Sequence, residues 1–340
     1  MTALEKPFTT DLDQIVAEYE RVGMKIIPVG NIGRPQELRE MLRIRENDFC
    51  VCAYMASSPS KIPGIKEVVR TVAETLGRLD AQYDLDMPML SGGGNYLGAF
   101  PDENTSLMGE WAYGATRNDR MARFVITQGL IQKEGLPLHR GVTVCLKQLL
   151  DLEDDLRLGA RTDGLLYGGD LGVIFPGGGG TLIEKLDELM TISINTNSIM
   201  KKLLLIDPVF QDPITTSAAP FWAGTIHQLT TMNHAGTISD RALRLFNEHC
   251  LVYRPDASLG PSQMSAEITS IILAIRAEAH RFNPNAGYAP IRGDLLTQYL
   301  IPLVGSGTIS QMFDGHALQD RSWGSSLRYL SQGNPLDLRM

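Results

Sequence analysis

What most constrains this chain is a series of short strand-like runs, several of them apolar at consecutive rather than alternate positions: MKIIPV (24–29), DFCVCAYM (48–55), RFVIT (123–127), LGVIF (171–175), KLLLID (202–207) and CLVYR (250–254). A strand with one wet face alternates apolar and polar residues. A run without alternation is buried on both faces and needs helices above and below it. Helical repeats between the runs, IKEVVRTVAETLGRL (65–79) and IEKLDELMTI (183–192), suit the crossovers that join parallel strands. The predicted fold is therefore α/β, a doubly wound, mainly parallel sheet over residues 46–262. Residues 1–45 read as an N-terminal extension with one helix, LDQIVAEYERV (12–22), and a short strand. Residues 263–340 read as a helical C-terminal extension, in which MSAEITSIILAIRAEAHRF (264–282) is a long helix and NPNAGYAPIRGD (283–294) a loop.

Within this pattern, PGGGGT (176–181) lies where the run LGVIF hands over to a helix. Glycine carries a high entropic cost there, so something must approach that backbone closely. The first N–H groups of a helix lack intrahelical partners and lie at the positive end of its dipole, so an anion such as phosphate is the natural occupant. Gly177, Gly178, Gly179 and Gly180 would admit it without a Cβ in the way, and Thr181 adds a hydroxyl. The bland alternative is a tight strand-to-helix turn. A second cluster, SGGGN (91–95), follows the strand-like DMPML, and ASSPS (56–60) offers Ser57 and Ser58 after another strand. In a parallel sheet such loops gather at the carboxyl edge, which makes Gly92, Gly93 and Gly94 part of the same expected phosphate pocket.

Composition narrows the partners. A formal charge of −8 and a pI near 5.3 argue against nucleic acid and anionic membranes. No uncharged apolar stretch reaches membrane-spanning length and the start MTALEKPFTTDLDQ lacks a signal-type apolar region, so a cytoplasmic protein is expected. Cys50, Cys52, Cys145 and Cys250 have neither disulfide-framework density nor zinc-type spacing, and read as structural thiols, Cys50 and Cys52 sharing a strand face.

FPGGGGTLIE (175–184) resembles the PGGxGTxxE signature of the LOG ("lonely guy") family, once labelled lysine decarboxylases, whose Rossmann-like members cleave nucleoside 5'-monophosphates. That family carries an Arg fifteen residues before the motif's Pro, and Arg161 stands fifteen residues before Pro176. SGGGN and SLMGEWAYGA (106–115) resemble its GGG and LMG elements, here separated by YLGAFPDENT, and FCVCAYMASSPS its first strand and Ser-Ser loop. KLLLIDP (202–208) and MNHAGTISDRALRLFNEHCLVYR (232–254) resemble the elements that close the fold. The chain departs in having Thr162 where short members carry Lys, Gly179 inside the motif, and RLGA (157–160) in place of a charged run. Its length resembles that of the long bacterial nucleotide nucleosidases.

The resemblance implies hydrolysis of the N-glycosidic bond of a nucleoside 5'-monophosphate to free base and ribose 5-phosphate, with no metal and no cofactor. It implies Glu184 and Arg161 as catalytic residues, the two glycine clusters, Thr181, Ser57 and Ser58 as phosphate contacts, and Asn95 and Met108 as candidates for a base or ribose pocket. It further implies a homodimer or higher homo-oligomer, paired through helices near the site, with LIEKLDELMTISI (182–194) as the pairing face. The helix after residue 263 would bury its apolar face on its own sheet or, as the sequence slightly favours, across the subunit boundary. From spacing alone, Thr181-x-x-Glu184 favours a capping box, in which Glu184 merely caps its own helix, and the resemblance reverses that preference; Arg161 fits a solvated helix charge, and Glu188 a surface residue. Two other functions fit the motifs: phosphoribosyl transfer to an acceptor other than water, and a nucleotide-binding regulator, which would keep the glycines without needing Arg161 or Glu184. A pyridoxal-phosphate decarboxylase is discounted, since the old family label is the only reason to consider it.

Overall fold

The apolar runs become strands in two compact units, Met1–Asp170 and Leu171–Met340. The computed structural model describes residues 12–94, 101–118, 121–137, 139–147, 157–182, 184–185, 201–211, 217–279, 283–291 and 307–311. The first unit holds β1 (Met24–Val29), β2 (Val51–Tyr54), β3 (Met89–Ser91), β4 (Ala122–Thr127) and β5 (Gly141–Leu146), in the order β1-β5-β4-β3-β2 with every pair parallel. Its helices are α1 (Leu12–Glu20), α2 (Pro35–Met41), α3 (Ile65–Tyr83), α4 (Leu107–Thr116), α5 (Gln128–Glu134) and α6 (Leu158–Gly168). Alternate residues of β1 and β4 (Met24, Ile26, Ala122, Phe124, Ile126) join Ile15 and Tyr19 of α1 and Leu130 and Ile131 of α5 in one core. The opposite face of β4 receives α6, because Gly164 lets that helix approach until a Cβ there would lie 2.7 Å from Val125 Cγ1. Helices thus cover both faces, as the unbroken apolar runs require.

The second unit holds β6 (Leu171–Ile174), β7 (Lys202–Ile206), the antiparallel pair β8 (Val209–Gln211) and β9 (Ala218–Pro220), α7 (Ala223–His234), α8 (Asp240–His249), β10 (Cys250–Pro255), α9 (Pro261–Ala277) and β11 (Gly307–Gln311). Strands β6, β7 and β10 are parallel neighbours, and β11 closes that edge antiparallel to β10. The mainly parallel, Rossmann-like α/β arrangement expected from the sequence is the one observed.

Three features differ from the expectation at its margins. The strand of the N-terminal extension is not separate, since Met24–Val29 pairs along its whole length with Gly141–Leu146. The C-terminal extension is not purely helical, for it supplies β11. Nor does α9 need a subunit boundary to cover it: Glu267, Thr269, Ser270 and Arg276 are buried within the chain along with Ile268, Ile271, Ile272 and Ile275. Burial all round, rather than on one stripe, marks a core helix. All four cysteines are free and buried, with Cys50 just ahead of β2 and Cys52 within it. Among the described residues, no helix is long and apolar enough to cross a membrane.

Candidate functional site

In the first unit the structure brings together Arg161, Gly92 and Met108. Arg161 lies on α6, whose Gly164 and Gly168 seat the helix tightly on the sheet; a Cβ on Gly168 would come within 2.5 Å of Leu90 Cδ2 on β3. This close seating delivers Arg161 to the carboxyl end of β3. There it is 7% exposed and its Nη2 donates to the Gly92 carbonyl oxygen at 3.2 Å, with Met108 Sδ at 3.7 Å. Arg161 is therefore no solvated helix charge.

The loop Gly92–Gly94 is glycine for reasons of packing. A Cβ on Gly92 would overlap the guanidinium of Arg161, falling 2.6 Å from its Cζ and 2.9 Å from its Nε. Gly93 and Gly94 have φ of +103° and +110°, a region side chains avoid, and a Cβ on Gly94 would sit 2.6 Å from the Met108 carbonyl carbon and 2.7 Å from the Gly109 nitrogen. The triple glycine read as an anion cradle is thus explained by its own neighbours. Met108 heads α4, which Ser106 caps by accepting from the Gly109 N–H at 3.0 Å, and its own N–H donates to Ala56 at 3.2 Å. That bond ties α4 to the loop carrying Ser57 and Ser58, both exposed. Asn95 lies outside the described residues.

The second unit presents the other glycine cluster. Strand β6 ends at Ile174, Pro176 is buried, and residues 179–182 and 184–185 are helical, with the Leu182 N–H donating to the Gly178 carbonyl at 3.0 Å. Gly178 is hence the residue that caps the helix, and Thr181 already lies in its first turn. This register excludes the capping box, in which Thr181 would have to stand just ahead of the helix and Glu184 at its third position. Glu184 is instead buried, 5% exposed, beyond the first turn. Thr181 is buried over Gly177, where a Cβ would lie 2.5 Å from Thr181 Cβ. Gly178, Gly179 and Gly180 are different: they are exposed, and a Cβ on any of them would meet none of the described residues within 4 Å. Packing among the described residues does not demand glycine here, and the first N–H groups of a helix lack intrahelical partners.

Sequence reasoning passed over two groups. Lys185, 1% exposed, holds its Nζ 3.9 Å from the centroid of the Trp222 ring. Burial lowers its pKa to about 8, with Cys250 and Asp207 acting in the opposite direction. A lysine directly after the motif's Glu, inside an apolar helix face, was the available signal. In the first unit, Glu110 of α4 is buried between Lys66 (3.6 Å) and Arg70 (3.7 Å). Its pKa is raised by burial, against the pull of Arg70 and Lys66. The amino ends of the first unit's strands also border a groove of about 920 Å³, lined by Arg43, Arg140, Asp80, Asp84 and Met89 among others. It lies at the edge opposite to the Gly92 loop. Among the described residues, no three His, Cys, Asp or Glu side chains gather as a metal would need.

Fold and loops together define an α/β protein with an open, glycine-built helix start. No family model and no curated protein matches the chain. Among solved structures it is similar to the molybdenum cofactor binding protein from the phototrophic bacterium Rippkaea orientalis, at 14% identity and a TM-score of 0.35, over 66% of this chain and 98% of that one.

Proposed function

We propose that this protein is a nucleoside 5'-monophosphate N-glycosidase, releasing the free base and ribose 5-phosphate. The reading is carried by one observation: the helix that opens at Gly178–Gly180 starts on exposed glycines that no described residue crowds, and its Glu184 is buried in a register that rules out capping. A helix N-terminus suits the 5'-phosphate. Cleavage passes through an oxocarbenium-like state at C1' of the ribose, which a nearby carboxylate stabilises. In the proposed reaction Glu184 takes a proton from water as its oxygen bonds to C1'. The C1'–N bond breaks, the base leaves with the bonding pair, and the proton taken from water passes to it, which leaves Glu184 ionised again. Arg161, held on the Gly92 carbonyl, shapes the loop that follows β3. The resemblance to LOG enzymes points the same way, and makes a homo-oligomer the expected assembly.

The test is incubation with a panel of 5'-monophosphates, with base and sugar products separated and identified. Free base with ribose 5-phosphate supports the reading; a new glycoside would instead mean transfer to another acceptor, and unchanged nucleotide a binding role. Glu184→Gln should bind nucleotide and lose turnover about a hundredfold or more, the usual size for a lost acid-base group. Near-normal turnover in that variant removes Glu184 from the chemistry.

A further inference from the structure

Lys185 is the polar group whose placement the proposed reaction leaves unexplained. Its ammonium is 1% exposed and has no hydrogen-bond partner among the described residues; it rests on the face of Trp222. A buried cation without a hydrogen bond is unfavourable, and an apolar side chain of similar length would fill the same space at less cost. The ring beneath it is held firmly. The Trp222 main-chain N–H donates to Asp207 Oδ1 at 2.7 Å, its indole N–H donates to the Ile206 carbonyl at 3.0 Å, and Phe221 packs edge-on at 4.8 Å. Asp207 is fully buried and pairs with Arg254 Nε at 2.9 Å. Trp222 is thereby anchored to the carboxyl end of β7 and to β10.

We infer that Lys185 is a positioning residue: seated on Trp222, it fixes the rotation of the helix that carries Glu184 and so the direction in which that carboxylate is presented. The inference rests on the glycosidase reading. Adjacent helical residues point about 100° apart, so anchoring one sets the other. Cation–π contact supplies the anchor without a hydrogen bond. The titratable groups that bear on the ammonium are Cys250 on β10 and Asp207, just after β7. Because burial brings its pKa to about 8, the anchor weakens as pH rises through that value, and catalysis should show an alkaline limb there.

The test compares wild type, Lys185→Met and Lys185→Arg on whichever 5'-monophosphate the wild type cleaves, with tryptophan emission followed from about pH 6 to 10. Expected are an emission change in the wild type centred near pH 8 and absent in Lys185→Met, and a kcat lowered about tenfold in Lys185→Met with KM nearly unchanged and no loss of melting temperature. Lys185→Arg keeps a cation on the ring; it should retain kcat within about threefold and lose the alkaline limb. Wild-type kcat in Lys185→Met overturns the inference alone, as does equal loss in both variants with a lowered melting temperature, which marks a packing defect. If Lys185→Met does not fold, a wild-type emission curve flat through pH 8 overturns the inference. No turnover of any 5'-monophosphate by the wild type overturns the glycosidase reading and this inference with it.

Discussion

Replacing Gly92 and Gly178 separately by alanine separates a packing glycine from a ligand-facing one. The new methyl at residue 92 would stand 2.6 Å from Arg161 Cζ and 2.9 Å from Nε, so the guanidinium must leave its seat. Its hydrogen bond to the Gly92 carbonyl, 3.2 Å long, goes with it, and the charge loses a partner while only 7% exposed. A lost bond to a charged group is worth about 1.5–3 kcal/mol and overpacking adds about 1–3, so a total of about 2.5–6 kcal/mol is expected. For a unit the size of Met1–Asp170 each kcal/mol moves the melting temperature by about 2–4 °C, which makes the predicted fall at least about 5 °C. At residue 178 the methyl meets none of the described residues within 4 Å, and only the poorer N-cap acts, about 0.5–1 kcal/mol, so a shift below about 4 °C is expected. Thermal unfolding followed by circular dichroism on the two variants side by side measures the contrast. A Gly92→Ala protein melting within about 2 °C of wild type would refute the claim that Arg161 occupies that space, and equal losses would refute the openness of residue 178.

Four further outcomes are expected. Gly178→Val should keep its fold yet lose nucleotide binding, because the branched side chain takes the anion's place rather than that of any described residue; unimpaired binding by calorimetry removes phosphate from that helix start. Nucleosides without the 5'-phosphate should be very poor substrates, a point settled by comparing kcat/KM for a nucleoside and its monophosphate. His249 is buried beside Lys202 and its pKa is lowered to about 4, so it titrates near 6.5 only when unfolded; stability is full above about 6.5 and falls as pH drops through 4, and His249→Asn should show a shallower acid loss in urea titrations at successive pH values. The intact chain should sediment as a dimer or larger. Ending it near residue 262 strips β10 of its neighbour β11 and removes the buried α9, so that version should aggregate rather than assemble.

Much of the fold was legible because burial leaves a local trace. MKIIPV marks β1 to the residue, and the unbroken runs DFCVCAYM, LGVIF and KLLLID announced strands covered on both sides. GVTVCL, which became β5, and GTISQ, which became β11, were not singled out, since glycine, threonine and serine interrupt their apolar character. Pairing with β4 and β10 makes them strands, and pairing is a long-range choice. The capping-box alternative for Thr181 and Glu184 shows the same limit on a smaller scale: the spacing allows it, while the bond from Leu182 to Gly178 starts the helix earlier and removes it.

By itself the sequence determined that a parallel α/β layer would form, and that glycines would crowd two of its turns. Which glycines are occupied was decided only by tertiary structure. Gly92 is filled by a guanidinium from 69 residues further along the chain, while Gly178, Gly179 and Gly180 stand clear of every described residue. A glycine is the same letter in both settings. The difference lies in whether the folded chain brings another side chain into the space where its Cβ would be, and that depends on how α6 seats on the sheet through Gly164 and Gly168.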